Sequence, residues 1–380
     1  MKKRYLISPG PTPVPEEVLL EMAKPMTHHR TSQFSAIFKE CSEGLKKLFG
    51  TDKPVMTLAS SGTGAMESAI TNIFSPGDTV LAINGGKFGE RWGKIARAYG
   101  LDVELLNVEW GQAVSVEAVK QALDKNRKIA GVLTQGSETS TTAAHPIKEL
   151  AVLTRDSDTL LIVDGITSVG VVDMPMDEWG IDVLLTGSQK AMMLPPGLAF
   201  IALSEKAWKK SETCRLPHFY FDLAKERDSL AKDTSAYTPA VSLIVGLRKV
   251  LEILFEEGLD NTYKRHECLA RAARAGCAAV GLKPLAPDAP ANSATGVYLP
   301  EGIDGGKLVK ELRENYGVTF AGGQDHLKGK IIRIAHLGYF DSFDMIVALS
   351  AVEMALAKYG HDVMPGKGVG AAETILNERY

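Results

Sequence analysis

The chain has 380 residues, 45% of them hydrophobic and 23% charged, with 36 glycines and a formal net charge of −3. That length exceeds one ordinary core, so two domains are expected of a globular protein of average composition. Acids and bases are mixed along the chain, which argues against a nucleic-acid surface or a polybasic membrane patch, and no uncharged apolar run approaches the roughly 20 residues of a membrane helix.

The opening MKKRYLISPGPTPVP is basic, but its apolar run is too short for a secretory signal and prolines follow at once. From residue 54, short apolar runs alternate with helical periodicity. Strands are expected at 54–59, 78–83, 103–108, 128–134, 159–165 and 181–187, bounded by Gly, Asp or Pro. Helical spacing fills 64–74, 89–99, 115–125 and 147–155; Ile95, Ala98 and Tyr99 illustrate the repeat. Alternating βα units predict a mostly parallel sheet with helices on both faces, and nearly all-apolar strands fit burial on both sides. LAFIALS (198–204) adds a further strand.

Two long amphipathic helices, 241–257 and 261–280, lead through a Pro/Ala loop at 284–296 into a smaller α/β unit. Its elements are expected at 296–300 (strand), 305–315 (helix), 318–320 and 330–335 (strands) and 343–359 (helix). The expected division is an N-terminal arm (1–15), a large domain (16–260) and a small C-terminal domain (261–380). A weakly periodic tail, 365–380, is expected to cap a neighbouring surface. The four cysteines, Cys41, Cys214, Cys268 and Cys277, lack C-x-x-C spacing, so a reducing, cytoplasmic compartment is expected. No H-E-x-x-H pair or Cys/His cluster points to a metal.

Three short stretches carry the chemistry. SSGTGAMESAI (60–70) follows the first strand and opens a helix. Small residues let a ligand approach the backbone there, and free N–H groups at a helix start attract anions. Glu67 stands where dinucleotide binding wants Gly or Ala, so a phosphate monoester suits the loop better. A plain strand-to-helix turn with capping hydroxyls is the alternative. Asp164 ends LLIVDG, and a carboxylate at the end of a buried strand is costly unless paired. It either caps the next turn or holds a ligand at the sheet edge.

Lys190, in LLTGSQKAMMLPPG, follows the next strand. It either snorkels to water or supplies an amine to chemistry inside the protein. In a parallel sheet both strand ends share one edge, so acid, amine and phosphate-sized nest converge. Pyridoxal phosphate has an aldehyde for the lysine, a ring nitrogen for the acid and a phosphate for the nest. A desolvated lysine among cations loses its proton readily and becomes a nucleophile. Ser188 and Gln189 are expected to be small or polar because a phosphorylated ring lies beside them.

The stretches SPGPTPVP, SSGTGAMES, ETST, VDGITSVG, TGSQK with its following PPG, YTPAVSLIVGLR and IIRIAHLG run nearly end to end. On them the chain resembles a class V aminotransferase of pyridoxal-phosphate fold type I, most similar to the alanine–glyoxylate and serine–pyruvate group. The resemblance implies a seven-stranded, mostly parallel sheet between helices and a smaller C-terminal α/β domain. It implies that Lys190 attaches to the cofactor aldehyde and moves the substrate Cα proton, while Asp164 pairs with the pyridine nitrogen. Ser61, Gly62, Thr63 and Gln189 would hold the phosphate. Phe88, in GGKFGERW, would stack on the ring, and Thr139 would bond near the ring hydroxyl.

Thr234 and Tyr237 would reach the phosphate of a neighbouring subunit, making a homodimer with shared sites; some relatives carry these hydroxyl residues in the opposite order. Arg333 would bind the substrate carboxylate, and Gly10 would line the substrate pocket. The implied reaction is ping-pong transfer of an amino group from alanine or serine to glyoxylate or pyruvate. His28, His29 and Arg30 read as an active-site rim or dimer contact, or, in phosphoserine- or aminoethylphosphonate-type transaminases, as phosphate ligands. A cysteine desulfurase would need a mobile catalytic cysteine, and Cys268 and Cys277 fall on an expected helix. A non-catalytic subunit of a redox assembly is the remaining alternative.

Overall fold

Seven strands make the central sheet of the computed structural model, which describes residues 3–378. They are β1 (Val55–Leu58), β2 (Thr79–Asn84), β3 (Asp102–Asn107), β4 (Ile129–Gln135), β5 (Leu160–Asp164), β6 (Val183–Gly187) and β7 (Ala199–Leu203). Their spatial order is β1-β7-β6-β5-β4-β2-β3. Only the pairings of β7 with β1 and β6 are antiparallel. Each expected strand is present within two residues of its expected ends.

The strands β5, β6 and β7 are buried along their whole length because both faces are covered. Leu161 and Val163 face one core, shared with helices Ser32–Phe49 and Val241–Glu257. Leu160 and Ile162 face the other, shared with helices Gly62–Ile73 and Lys87–Ala98. Alternation at period two thus divides one strand between two cores.

A second sheet, wholly antiparallel, runs in the order Lys283–Pro284, Ala294–Tyr298, Ile331–Ala335, Ala321–Gly322. Its core continues into helices Leu259–Ala279 and Ser342–Lys358. Gly258, at φ +83°, separates helix Val241–Glu257 from helix Leu259–Ala279. The N-terminal segment ties the two sheets together. Tyr5 and Leu6 pair in parallel with Val318 and Thr319, and Ala335 donates its N–H to Ile7 O at 3.2 Å. Further along this segment, Thr12 donates to Gln189 O (3.2 Å) and to Lys190 O (2.8 Å).

Two elements differ from expectation. The helix expected at 305–315 is α-helical over Gly305–Glu311 and widens to a π-turn at Leu312–Tyr316. That turn keeps Leu312 buried, and Gly317, at φ +77°, ends it so that Val318 can pair with Tyr5. The tail forms a helix, Lys367–Leu376, packed against Leu259–Ala279. Its periodicity is weak because the contact uses glycine: a Cβ on Gly368 would lie 2.8 Å from Gly276 O. Residues 379–380 of that tail lie outside the described residues. Among the described residues no helix is long and apolar enough to cross a membrane.

Candidate active site

The turn after β6 presents Lys190 because Ser188 stitches it in place. The buried Ser188 hydroxyl donates to Pro195 O (2.7 Å) and accepts from Leu198 N–H (3.1 Å). This corrects the expectation that Ser188 is small for the sake of a phosphorylated ring; it folds the loop. Lys190 is partly buried and its ammonium donates to Pro9 O. Burial pushes its pKa down to about 8; Asp164 opposes the shift, and Arg333 and Arg91 add to it. Gly10 is where the N-terminal segment meets the amine. It sits at φ +120°, and a Cβ there would lie 2.2 Å from Lys190 Nζ.

Asp164 ends β5, next to the strand that delivers Lys190. It is buried and accepts the Ile166 N–H at 2.8 Å, but no side chain among the described residues donates to it. Burial pushes its pKa up to about 7; the Ile166 N–H, Lys190 and Arg91 work against that, and Glu138 adds to it.

On the same face, Ser61 precedes helix Gly62–Ile73, exposed and without a capping bond. The first N–H groups of this helix have no intrahelical acceptor. Gly62 has no room for a side chain, since a Cβ would lie 2.2 Å from Ile166 Cδ1. A Cβ on Gly187 would lie 3.2 Å from Gln189 Oε1 and 3.4 Å from Gly62 N, so the last two converge. Gln189 Oε1 is buried without a hydrogen-bond partner. Thr63 accepts from Arg91 Nη1 at 2.9 Å, and the Arg91 guanidinium lies 4.8 Å from the centroid of the Phe88 ring. Glu67 accepts the Tyr99 hydroxyl, which makes it a packing residue of the helix.

Arg333 lies on the second sheet, buried, and no acid among the described residues pairs with it. Nε and Nη2 donate to Gly322 O (3.1 and 2.9 Å), and Nη1 donates to Thr139 O (2.7 Å). A guanidinium has five N–H groups, so one remains on each terminal nitrogen, a fork suited to a carboxylate. Burial pushes its pKa down to about 10, and Glu138 opposes that. The Thr139 hydroxyl pairs with that of Thr167 at 3.0 Å.

Thr234 and Tyr237 stand apart from this group. Arg30 donates to Thr234 Oγ1 (2.6 Å) and Ser235 O (3.2 Å), while Tyr237 donates to Phe219 O (2.7 Å) and accepts from Lys225 (3.1 Å). His28 and His29 stack on each other at 4.7 Å, near the same segment.

Sequence reasoning missed Glu138 and Arg91. Glu138 is fully buried, and its carboxylate accepts from the backbone N–H groups of Phe88 (3.1 Å) and Gly89 (2.9 Å) and from Ser140. It thereby holds the start of helix Lys87–Ala98, where Phe88 sits. Its signal is an acid inside the otherwise uncharged run GSETSTTA. Arg91 was legible as the residue three after Phe88, on the same helix face.

A buried acid to which no side chain among the described residues donates, an amine with a depressed pKa and a helix start with uncapped N–H groups match the three handles of pyridoxal phosphate. Fold and site therefore define a pyridoxal-phosphate transferase of fold type I. The solved ureidoglycine–glyoxylate aminotransferase from Bacillus subtilis superposes with a TM-score of 0.95 at 29% identity, over 99% of each chain. The sequence profile of the family Aminotransferase class-V matches residues 4–335. Curated relatives include a serine–glyoxylate aminotransferase of Methylorubrum extorquens, 37% identical over 99% of this chain and 96% of the relative. A protein named soluble hydrogenase, small subunit, of a Synechococcus strain is 43% identical over 99% of both. The chain belongs to the class V aminotransferases; it is a pyridoxal-phosphate-dependent transaminase.

Proposed function

We propose that the protein moves an amino group from a small amino acid, alanine or serine, to glyoxylate or pyruvate by a ping-pong mechanism. The observation that carries this reading is Arg333, buried without an acid and with one free N–H on each terminal nitrogen, in the electrostatic reach of Lys190. The name of the Methylorubrum relative supports glyoxylate as acceptor. When bound, the cofactor supplies an electron sink for the Cα–H bond. Lys190 Nζ takes the proton from Cα and later returns one, a role that suits an amine titrating near 8. Asp164 holds a proton on the ring nitrogen as a buried carboxylate. Ser61, Gly62, Thr63 and Gln189 hold the phosphate, Phe88 covers the ring, and Thr139 stands near its hydroxyl. Gly10 leaves room for the substrate beside the amine.

The working unit in this proposal is a cytoplasmic homodimer, each chain divided into an arm (1–15), a large domain (16–260) and a small domain (261–380). Thr234 and Tyr237 reach the partner's phosphate. Exposed Met26 and Phe219, near that segment in space, support an interface there. Arg30 is engaged by neutral acceptors, which favours a rim role over binding a phosphorylated substrate.

The test is a half-reaction screen: the cofactor-loaded protein is mixed with single amino acids and the cofactor spectrum followed. Conversion by alanine or serine is expected, with phosphoserine slower. A protein that binds cofactor yet is converted by no amino acid would overturn the proposal in favour of the redox-assembly role.

A further inference from the structure

Two of the engaged N–H groups of Arg333 are held by a turn of the proposed small domain. Gly322 O, which accepts two of the three engaged Arg333 N–H groups, opens the turn 322–328. The turn is tight, since a Cβ on Gly323 would lie 2.0 Å from Leu327 O, and residues 324–326 are exposed. Three contacts fasten it. Leu327 is buried with Leu285, Ile331 and Trp110. The His326 ring lies 4.3 Å from the Trp110 ring. Asp325, in a left-handed conformation at φ +46°, meets Lys87 Nζ at 2.7 Å. Lys87 is also paired with Glu90 and is the first residue of the helix that carries Phe88. The ion pair therefore connects the start of that helix to the carbonyl that orients Arg333.

We propose that Lys87 and Asp325 are positioning residues for the substrate carboxylate: their ion pair holds Gly322 O where it leaves the two free N–H groups of Arg333 facing the substrate. The proposal rests on the reading of Arg333 as the carboxylate ligand. A guanidinium freed from one acceptor rotates, and a fork that rotates loses bidentate recognition. Because the pair is partly exposed, its effect is modest, and it falls on binding rather than on proton transfer.

The experiment uses the cofactor-loaded protein and glycolate, a small 2-hydroxy acid that carries the carboxylate but no amine. Asp325→Asn and Lys87→Gln should each weaken glycolate binding and raise KM for amino and oxo acids about three- to fivefold. The kcat and the thermal midpoint should stay near those of the parent. Lys87→Arg should keep parental KM, and the Asp325→Asn, Lys87→Gln double variant should be no worse than either single one. Unchanged KM and glycolate affinity in both single variants overturns the proposal, as does strict additivity in the double variant. Arg333→Gln separates the two layers. If it raises KM while the Asp325 and Lys87 variants do not, only the positioning role fails. If it leaves KM unchanged, the carboxylate reading beneath it fails.

Discussion

The two halves of the proposed site are built on opposite principles. The cofactor half, at the ends of β5 and β6, works by desolvation: burial drives Asp164 up to about 7 and Lys190 down to about 8. Burial thus moves the acid and the amine toward each other from ordinary values of 3.8 and 10.5. The carboxylate half works by geometry. Arg333 stays a cation, and backbone carbonyls fix which of its N–H groups remain free. Removing a tuned group should therefore cost rate, whereas disturbing the fixed one should cost binding.

Lys190→Ala tests the first half most severely. Turnover should fall by about 10⁴-fold or more, because in the proposed function both covalent attachment and proton transfer depend on this amine. Single-turnover kinetics with a small amino acid would measure it, and near-parental rates would remove Lys190 from the chemistry. Asp164→Asn comes next, with a loss of about 10³-fold in kcat and much less change in KM, since it removes a charge that acts during reaction. An unchanged kcat would mean the ring nitrogen has another partner.

Arg333→Gln probes the other half and should show the reverse pattern. Losing charged hydrogen bonds to a carboxylate costs about 1.5–3 kcal/mol, or roughly 10- to 100-fold in KM. Near-normal KM with a collapsed kcat would show that the two halves are not separate.

Legibility in the sequence followed the same division. The strand-end acid, amine and glycine-rich helix start are local features, because strand periodicity and turn residues alone put them on one sheet edge. The central sheet was legible for that reason, and so was the placement of Asp164, Lys190 and Gly62 at its edge. Arg333 was not readable from pattern: its significance depends on Thr139 O and Gly322 O, 194 and 11 residues away in the chain. Gly10 was likewise named by resemblance, and only the approach of Lys190 explains it. Glu138 escaped because its partners are backbone N–H groups of a helix 49 and 50 residues away. Ser188 was misread because its two partners are backbone atoms of the loop that follows.

The smallest expected effect joins the two halves most directly, through the pH at which Lys190 captures added cofactor. A neutral amine is required, so the capture rate should rise with pH and level off just above about 8 rather than near the ordinary lysine value of 10.5. Between pH 7 and pH 9 the neutral fraction grows by roughly tenfold. The neighbours displace this profile in opposite directions. Asp164 attracts the ammonium, so Asp164→Asn should move the midpoint to lower pH; Arg333 repels it, so Arg333→Gln should move the midpoint higher. Reductive trapping of the attached cofactor across a pH series reads both displacements without turnover. If neither variant moves the midpoint, the lysine is tuned by burial alone, and the Arg333 cation contributes nothing to the reactivity of the amine.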